Sequence, residues 1–357
     1  MTEKVFFTVT VLKRWRIWGL GILVSLLATL FVLRELDFHL LGEALAQARF
    51  VYILPCIGLL LLGLFTRAMR WRALLSGGLP FWRSFHIMNV AYLVNGVLPL
   101  RIGEVARIFL ANRADPPVPM MKTAVTVVVE RLLDLLAVVM LVAFALAAGD
   151  IPPVLRSAGV MMGIISLVGF LSLVWLSRQR HLAHRLMNGL VGIIPPIKRI
   201  HPTALLDHLL DGLAPLARLR TLINALFWTG ISWAFSVVAG YILMYTFYDT
   251  PSWSVTCLYI AAAAFAIAVP ATIGSLGVYE ASILIALDSM GYGNPATIAI
   301  AFAVIVHAVN VFVHSVTGAI GFIHEGVSLE QLSQGVREVS LDTPAPNVPI
   351  TEGSSNG

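Results

Sequence analysis

The chain has 357 residues, 58% of them hydrophobic and 12% charged, with mean hydropathy +0.87; soluble proteins run at roughly 45–50% apolar and about 25% charged. The excess lies in long runs, which argues against a soluble all-α core and predicts an all-α, polytopic integral membrane helix bundle. The net charge of +5 falls between those runs, so it is assigned to orientation and anionic headgroups, with no nucleic-acid partner.

In chain order, Lys4, Lys13, Arg14 and Arg16 precede the apolar run Ile17–Leu33. This run is too long for a signal core. Arg34, Glu35 and Asp37 also separate it from Ala44-Leu45-Ala46, so it is expected to be an uncleaved first span. Further spans are predicted at Tyr52–Phe65, Thr123–Ala148, Leu155–Leu176, Leu222–Phe247 and Ala296–Phe322. Cys56 and Cys257 lie inside apolar runs and read as packing residues. Two other apolar regions, Ser84–Ala111 and Ser254–Met290, are interrupted, and each has room for two half-length helices.

The placement of Lys and Arg sets the orientation. The basic amino end is cytoplasmic, and Arg67, Arg70, Arg72 and Arg83 also fall inside, as does the basic stretch Arg178–Arg220. Ser84–Ala111 must then enter and leave on the same side, as a re-entrant hairpin. Ser254–Met290 is expected to dip in from the opposite face, leaving the carboxyl end cytoplasmic. Within residues 177–221, Leu182, Leu186, Leu190 and Ile193 share one helical face, and Leu205, Leu206, Leu209, Leu213 and Leu216 share another. These read either as amphipathic helices on the cytoplasmic leaflet or as connectors packed on the bundle. Residues 1–322 form a single transmembrane domain on this reading, and 323–357 a flexible cytoplasmic tail.

The two interruptions carry the chemistry. In "NGVLPLRIGEVARIFLA", Asn95–Ala111, Pro99 removes a backbone donor and Gly103 permits close backbone approach. Unpaired backbone is costly in hydrocarbon, so such a break must face protein or a wet cavity. Arg101, Glu104 and Arg107 supply polar company, and Glu104 and Arg107, one turn apart, are placed to pair with each other. With the positive end of the second half-helix, these arginines form an expected seat for an anion such as a lipid phosphate. "VPATIGSLGVYEASIL", 269–284, repeats the grammar with Pro270, Gly274, Gly277 and Glu280. Paired broken segments point to an inverted repeat with a site at its interface; two merely kinked spans are the alternative.

Glu130, Arg131 and Asp134 lie on the third span, with Glu130 and Asp134 sharing a face. They read either as a network beside the arginine site or as a structural salt bridge near the inner surface. His307, Asn310 and His314 share a face of the last span, which suits interhelical hydrogen bonding or proton coupling better than a metal. No nucleotide-binding loop, nucleophile–base motif or cofactor motif is present in the sequence.

These two stretches, with "VVVERLLDLL" at Val127–Leu136 between them, resemble the signatures of the lysylphosphatidylglycerol synthase transmembrane, or flippase-like, family. The likeness extends from about Trp15 to Phe322. It implies an inverted-repeat membrane domain that moves aminoacylated phospholipids or other lipid-linked molecules between leaflets. Some relatives carry a soluble aminoacyltransferase domain, which the short stretch after Phe322 implies is absent here. Relatives often show Arg near the position of His307, so the role of that residue is open. The expected function is lipid transport in the cell membrane, with no enzyme activity, cofactor or metal. Membrane lipids are the expected partners, together with an enzyme that modifies them elsewhere. A membrane enzyme acting on headgroups through Glu104, Glu130 or Asp134, and a non-transporting scaffold, are the alternatives.

Overall fold

The computed structural model describes residues 38–97, 102–149, 153–176, 178–193, 206–207, 210, 214–268, 275–326 and 331. The predicted first span, Pro99, Arg101, Pro270 and Gly274 lie outside them, as does most of the tail. Among the described residues the secondary structure is helical, consistent with the all-α membrane bundle expected from hydropathy.

Eleven α-helices are described. A short helix α1 (Phe38–Ala46) leads into α2 (Ile53–Leu74). The first broken segment forms α3 (Phe81–Val97) and α4 (Gly103–Asn112). Next come α5 (Met120–Ala148), α6 (Pro153–Leu176) and the amphipathic α7 (Arg180–Ile193). Then α8 (Leu219–Met244) precedes the second broken segment, α9 (Trp253–Ala268) and α10 (Val278–Ser289), and α11 (Ala296–Glu325) closes the bundle. At 1.5 Å per residue, α4 and α10 reach only about 15 and 18 Å, so neither crosses a hydrocarbon core of about 30 Å alone.

Local sequence sets several boundaries. Pro119 and Pro295 stand at the N-caps of α5 and α11, where a missing N–H removes no helical bond. Gly326, with φ 60°, ends α11 in the left-handed conformation that glycine adopts without strain. One boundary departs from the hydropathy reading. The span expected to end at Phe65 runs on to Leu74, so Arg67 and Arg70 are helical residues inside the bundle and not inner-loop charges. Arg70 is 2% exposed.

Helices α2 and α8 cross antiparallel: Tyr52 stacks on Tyr245, Arg67 bonds Ser232, and Arg70 bonds Thr229. Around them the hairpins are exchanged. The first hairpin places α3 against α11 and α4 against α5; the second places α9 against α5 and α10 against α11. The α3–α11 seam is the tightest of these contacts. Asn89 accepts a hydrogen bond from Thr317, and a Cβ on Gly318 would lie 2.4 Å from Leu93 Cβ and 2.8 Å from the Asn89 carbonyl. Gly318→Ala is therefore expected to destabilise the bundle by about 1–3 kcal/mol, the usual cost of overpacking. Thermal unfolding in detergent measures it, and an unchanged midpoint would refute the seam.

Two apolar clusters sit on either side of the central pair. One gathers Trp71, Leu75, Phe85, Met88 and Leu110 around the first hairpin. The other gathers Met244, Tyr259, Ile283 and Phe302 around the second. The outer faces of α6 and α11 remain apolar and exposed, for example Ile164, Val168 and Phe312, as lipid-facing surfaces are. Cys56 and Cys257 are buried and unpaired, as packing residues.

Candidate functional site: a charge lattice beside a polar cavity

The charged residues of the first hairpin face α5. Arg107 Nη1 donates to Glu130 Oε2 at 2.5 Å, and Arg131 Nη2 donates to Glu104 Oε1 at 2.6 Å. The expected Glu104–Arg107 pair within one helix does not form. Each side chain instead reaches across to α5, and the Arg107–Glu130 pair is buried, where an ion pair is screened less. Asn95 Oδ1 accepts the Gly103 N–H at 2.8 Å, so one backbone donor at the start of α4 is taken by the protein itself. That weakens the helix-end part of the expected anion seat and leaves the guanidinium groups as its cationic component.

Helix α2 completes the lattice. Arg70 grips Asp134 through two nitrogens, Nη1 to Oδ1 at 2.7 Å and Nη2 to Oδ2 at 3.3 Å, and its Nε lies 3.8 Å from Glu130. Such a bidentate fork fixes geometry as well as charge. Trp71 packs flat beneath Arg107, with the guanidinium carbon 3.8 Å from the ring centroid. Its indole N–H donates to Thr126. Trp233 of α8 donates to Asp134 Oδ1 at 3.3 Å. Glu130 and Asp134 thus share the face predicted for them, and Arg131 joins them through a 3.8 Å contact with Asp134.

Four arginines and three carboxylates make up this group, and the unmatched cation is Arg67. Its Nε donates to Ser232 Oγ at 3.1 Å, and its guanidinium lies 5.9 Å from the Tyr92 ring and 6.0 Å from the Trp233 ring. No carboxylate pairs with it among the described residues. It lines a cavity of about 120 Å³ enclosed by α2, α8, α9, α10 and α11. Trp233, Tyr259, Tyr279, Asn310 and His314 line the same cavity. Sequence reasoning missed Arg67 and Arg70. The available signal was their i, i+3 spacing with Trp71 following, a continuation of the α2 period beyond its last apolar residue.

The second hairpin carries a related but softer arrangement. Glu280 caps α10 by accepting the Gly277 N–H at 2.8 Å, with Gly277 at φ 82°, and its other oxygen meets His307 Nδ1 at 2.5 Å. The Tyr279 ring stacks on His307 with centroids 4.4 Å apart. Glu104 and Arg131 are 27 residues apart, and so are Glu280 and His307. Three residues beyond each cation come Asp134 and Asn310 respectively. One register therefore holds Glu–Arg–Asp in the first half and Glu–His–Asn in the second. Asn310 donates within its own helix to the Val306 carbonyl, and His314 meets Tyr92 edge-on at 5.3 Å. Of His307, Asn310 and His314, His307 makes the interhelical side-chain bond expected of that face, through its imidazole nitrogen.

The family described as "Lysylphosphatidylglycerol synthase TM region" matches residues 18–318. The chain belongs to this family. That match takes in both hairpins, the charge lattice and the His307–Glu280 pair, and it agrees with the resemblance carried by the two broken segments. Neither a curated protein nor a solved structure matches the chain.

Proposed function

We propose that this member of the family is a flippase or scramblase-like transporter. Its substrate is a lipid with an anionic headgroup: a phospholipid, an aminoacyl-lipid or a lipid-linked saccharide. It is read as a multi-pass protein of the cell membrane with both termini cytoplasmic, working beside an enzyme that makes or modifies the lipid. The observation that carries this reading is Arg67, a guanidinium without a carboxylate among the described residues, held by Ser232 at the edge of a partly polar cavity and beside a lattice that pairs the group's other three arginines. A buried or half-buried cation in a membrane calls for a counter-charge, and a phosphate supplies one. The enzyme alternative is disfavoured because Glu104, Glu130 and Asp134 are all engaged as ion-pair partners of arginines.

The exchanged hairpins and the matched 27-residue register support an inverted repeat, with the two halves alternately exposing the cavity. Reconstitution into vesicles with a labelled phosphatidylglycerol tests the proposal: redistribution between leaflets with unaltered lipid chemistry is expected. A chemically altered lipid, or no redistribution, refutes it.

Energy for directed movement is assigned to the second half. Arg131 is a permanent cation, whereas the residue in the corresponding position, His307, carries an imidazole, a group able to take up and release a proton. The groups around His307 are the Glu280 carboxylate and the Tyr279 ring from α10, with Asn310 and His314 along α11. Transport by the native protein is expected to depend on pH. His307→Arg, which restores the permanent pair of the first half, is expected to flatten that profile while transport persists. A profile unchanged in His307→Arg and His307→Gln would remove this role.

A further inference from the structure

A second depression lies on the other side of Trp233 from the polar cavity. It runs between α5 and α8 and is closed at one end by α9, with a volume of about 460 Å³, within the usual size of ligand sites. Its walls are apolar almost throughout, with Leu133, Met140 and Phe144 on α5 and Leu226 and Val237 on α8. Ala137, Gly230 and Ala234 make the lining shallow. A Cβ on Gly230 would meet nothing within 4 Å. At the far end Trp253 stacks on Tyr241, with centroids 3.9 Å apart and the planes 4° from parallel.

From Leu133 to Phe144 the groove follows α5 for about 16 Å, which is half of a hydrocarbon core of about 30 Å and so the depth of one leaflet. Thr229 and Trp233, the residues that hydrogen-bond Arg70 and Asp134, line its wall partway along α8. Trp233 also lines the cavity that holds Arg67, whose guanidinium carbon lies 6.0 Å from its ring.

We propose that this groove holds an acyl chain of a lipid whose anionic headgroup passes over Trp233 toward Arg67. The occupant is a hydrocarbon chain because the walls offer it dispersion contacts and almost no polar partner, while the unmatched charge beside Trp233 is the cation Arg67. Trp233 suits the junction, with an apolar face for the chain and an N–H already fixed on Asp134. The inference deepens the transport reading and rests on it for the headgroup's position alone.

The test uses the full chain in vesicles of phosphatidylcholine containing phosphatidylglycerol with a diazirine on one acyl chain. Cross-links mapped by mass spectrometry are expected on Met140, Phe144 and Leu226 in clear excess over Ile164, Val168 and Phe312, which face lipid elsewhere. Gly230→Leu and Ala234→Leu, both at exposed positions, fill the groove from either side of Trp233. Each is expected to lower groove labelling about tenfold, the equivalent of displacing two methylenes from an apolar site. Even labelling of all lipid-facing helices, or groove labelling undiminished in both variants, overturns the inference and leaves ordinary annular lipid. Redistribution is measured in the same vesicles. Focused labelling without redistribution keeps the groove and removes the transport reading. Redistribution that depends on Arg67 with even labelling removes the groove alone.

Discussion

Glu130→Ala is expected to lower the stability of the folded protein by about 3–5 kcal/mol, the cost of leaving a buried charge without its partner. Glu130 is 2% exposed and lies between two guanidinium groups, 2.5 Å from Arg107 and 3.8 Å from Arg70. Truncation to alanine strands the buried Arg107, to which Trp71 supplies only a cation–π contact, while Arg70 keeps its fork on Asp134. Glu130→Gln keeps the shape and one acceptor but removes the charge, so it is expected to fall between alanine and the native residue. Chemical or thermal unfolding in detergent, followed by tryptophan fluorescence, ranks the three. Equal midpoints would show that the lattice contributes geometry without stability.

Arg67→Gln is expected to act in the opposite way, sparing the fold and removing function. Its single hydrogen bond to Ser232 is within reach of a glutamine amide, and no carboxylate loses a partner. A charge-assisted bond to phosphate is worth about 1.5–3 kcal/mol, so loss of the cation lowers the rate of anionic-lipid redistribution by about ten- to a hundredfold. A zwitterionic lipid moved by the same vesicles would be affected less. Arg67→Lys keeps the charge but loses the planar fork and its contacts with Tyr92 and Trp233, so partial activity is expected. Native redistribution rates in Arg67→Gln would place the headgroup elsewhere.

Helix positions were legible because a bilayer imposes a minimum apolar length, and the long helices α5, α6 and α11 begin and end within a few residues of their hydropathic limits. The breaks were legible from Pro and Gly. Hydropathy failed where a helix continues past its last apolar residue: α2 carries Arg67, Arg70 and Arg72 for two further turns, and only the 3.6-residue period records this. Ion-pair partners were not legible either. Glu104 and Arg107 have the right spacing to pair on one helix, but burial against α5 offers each a drier partner. The matched 27-residue spacing was not read from sequence, because His307 and Asn310 stand where the first half has Arg131 and Asp134, so the charge pattern is absent while the spacing persists.

The exchange of hairpins between the long helices has a consequence for how the molecule is held together. In the described structure α6 and α7 form the connector between the two four-helix sets, and α6 rests on α5. Each set packs one helix of its hairpin on its own long helix and the other on the long helix of the opposite set. A gene divided within that connector would therefore encode two fragments that are unstable when produced singly and that assemble when co-produced, as an obligate heterodimer with no covalent tether.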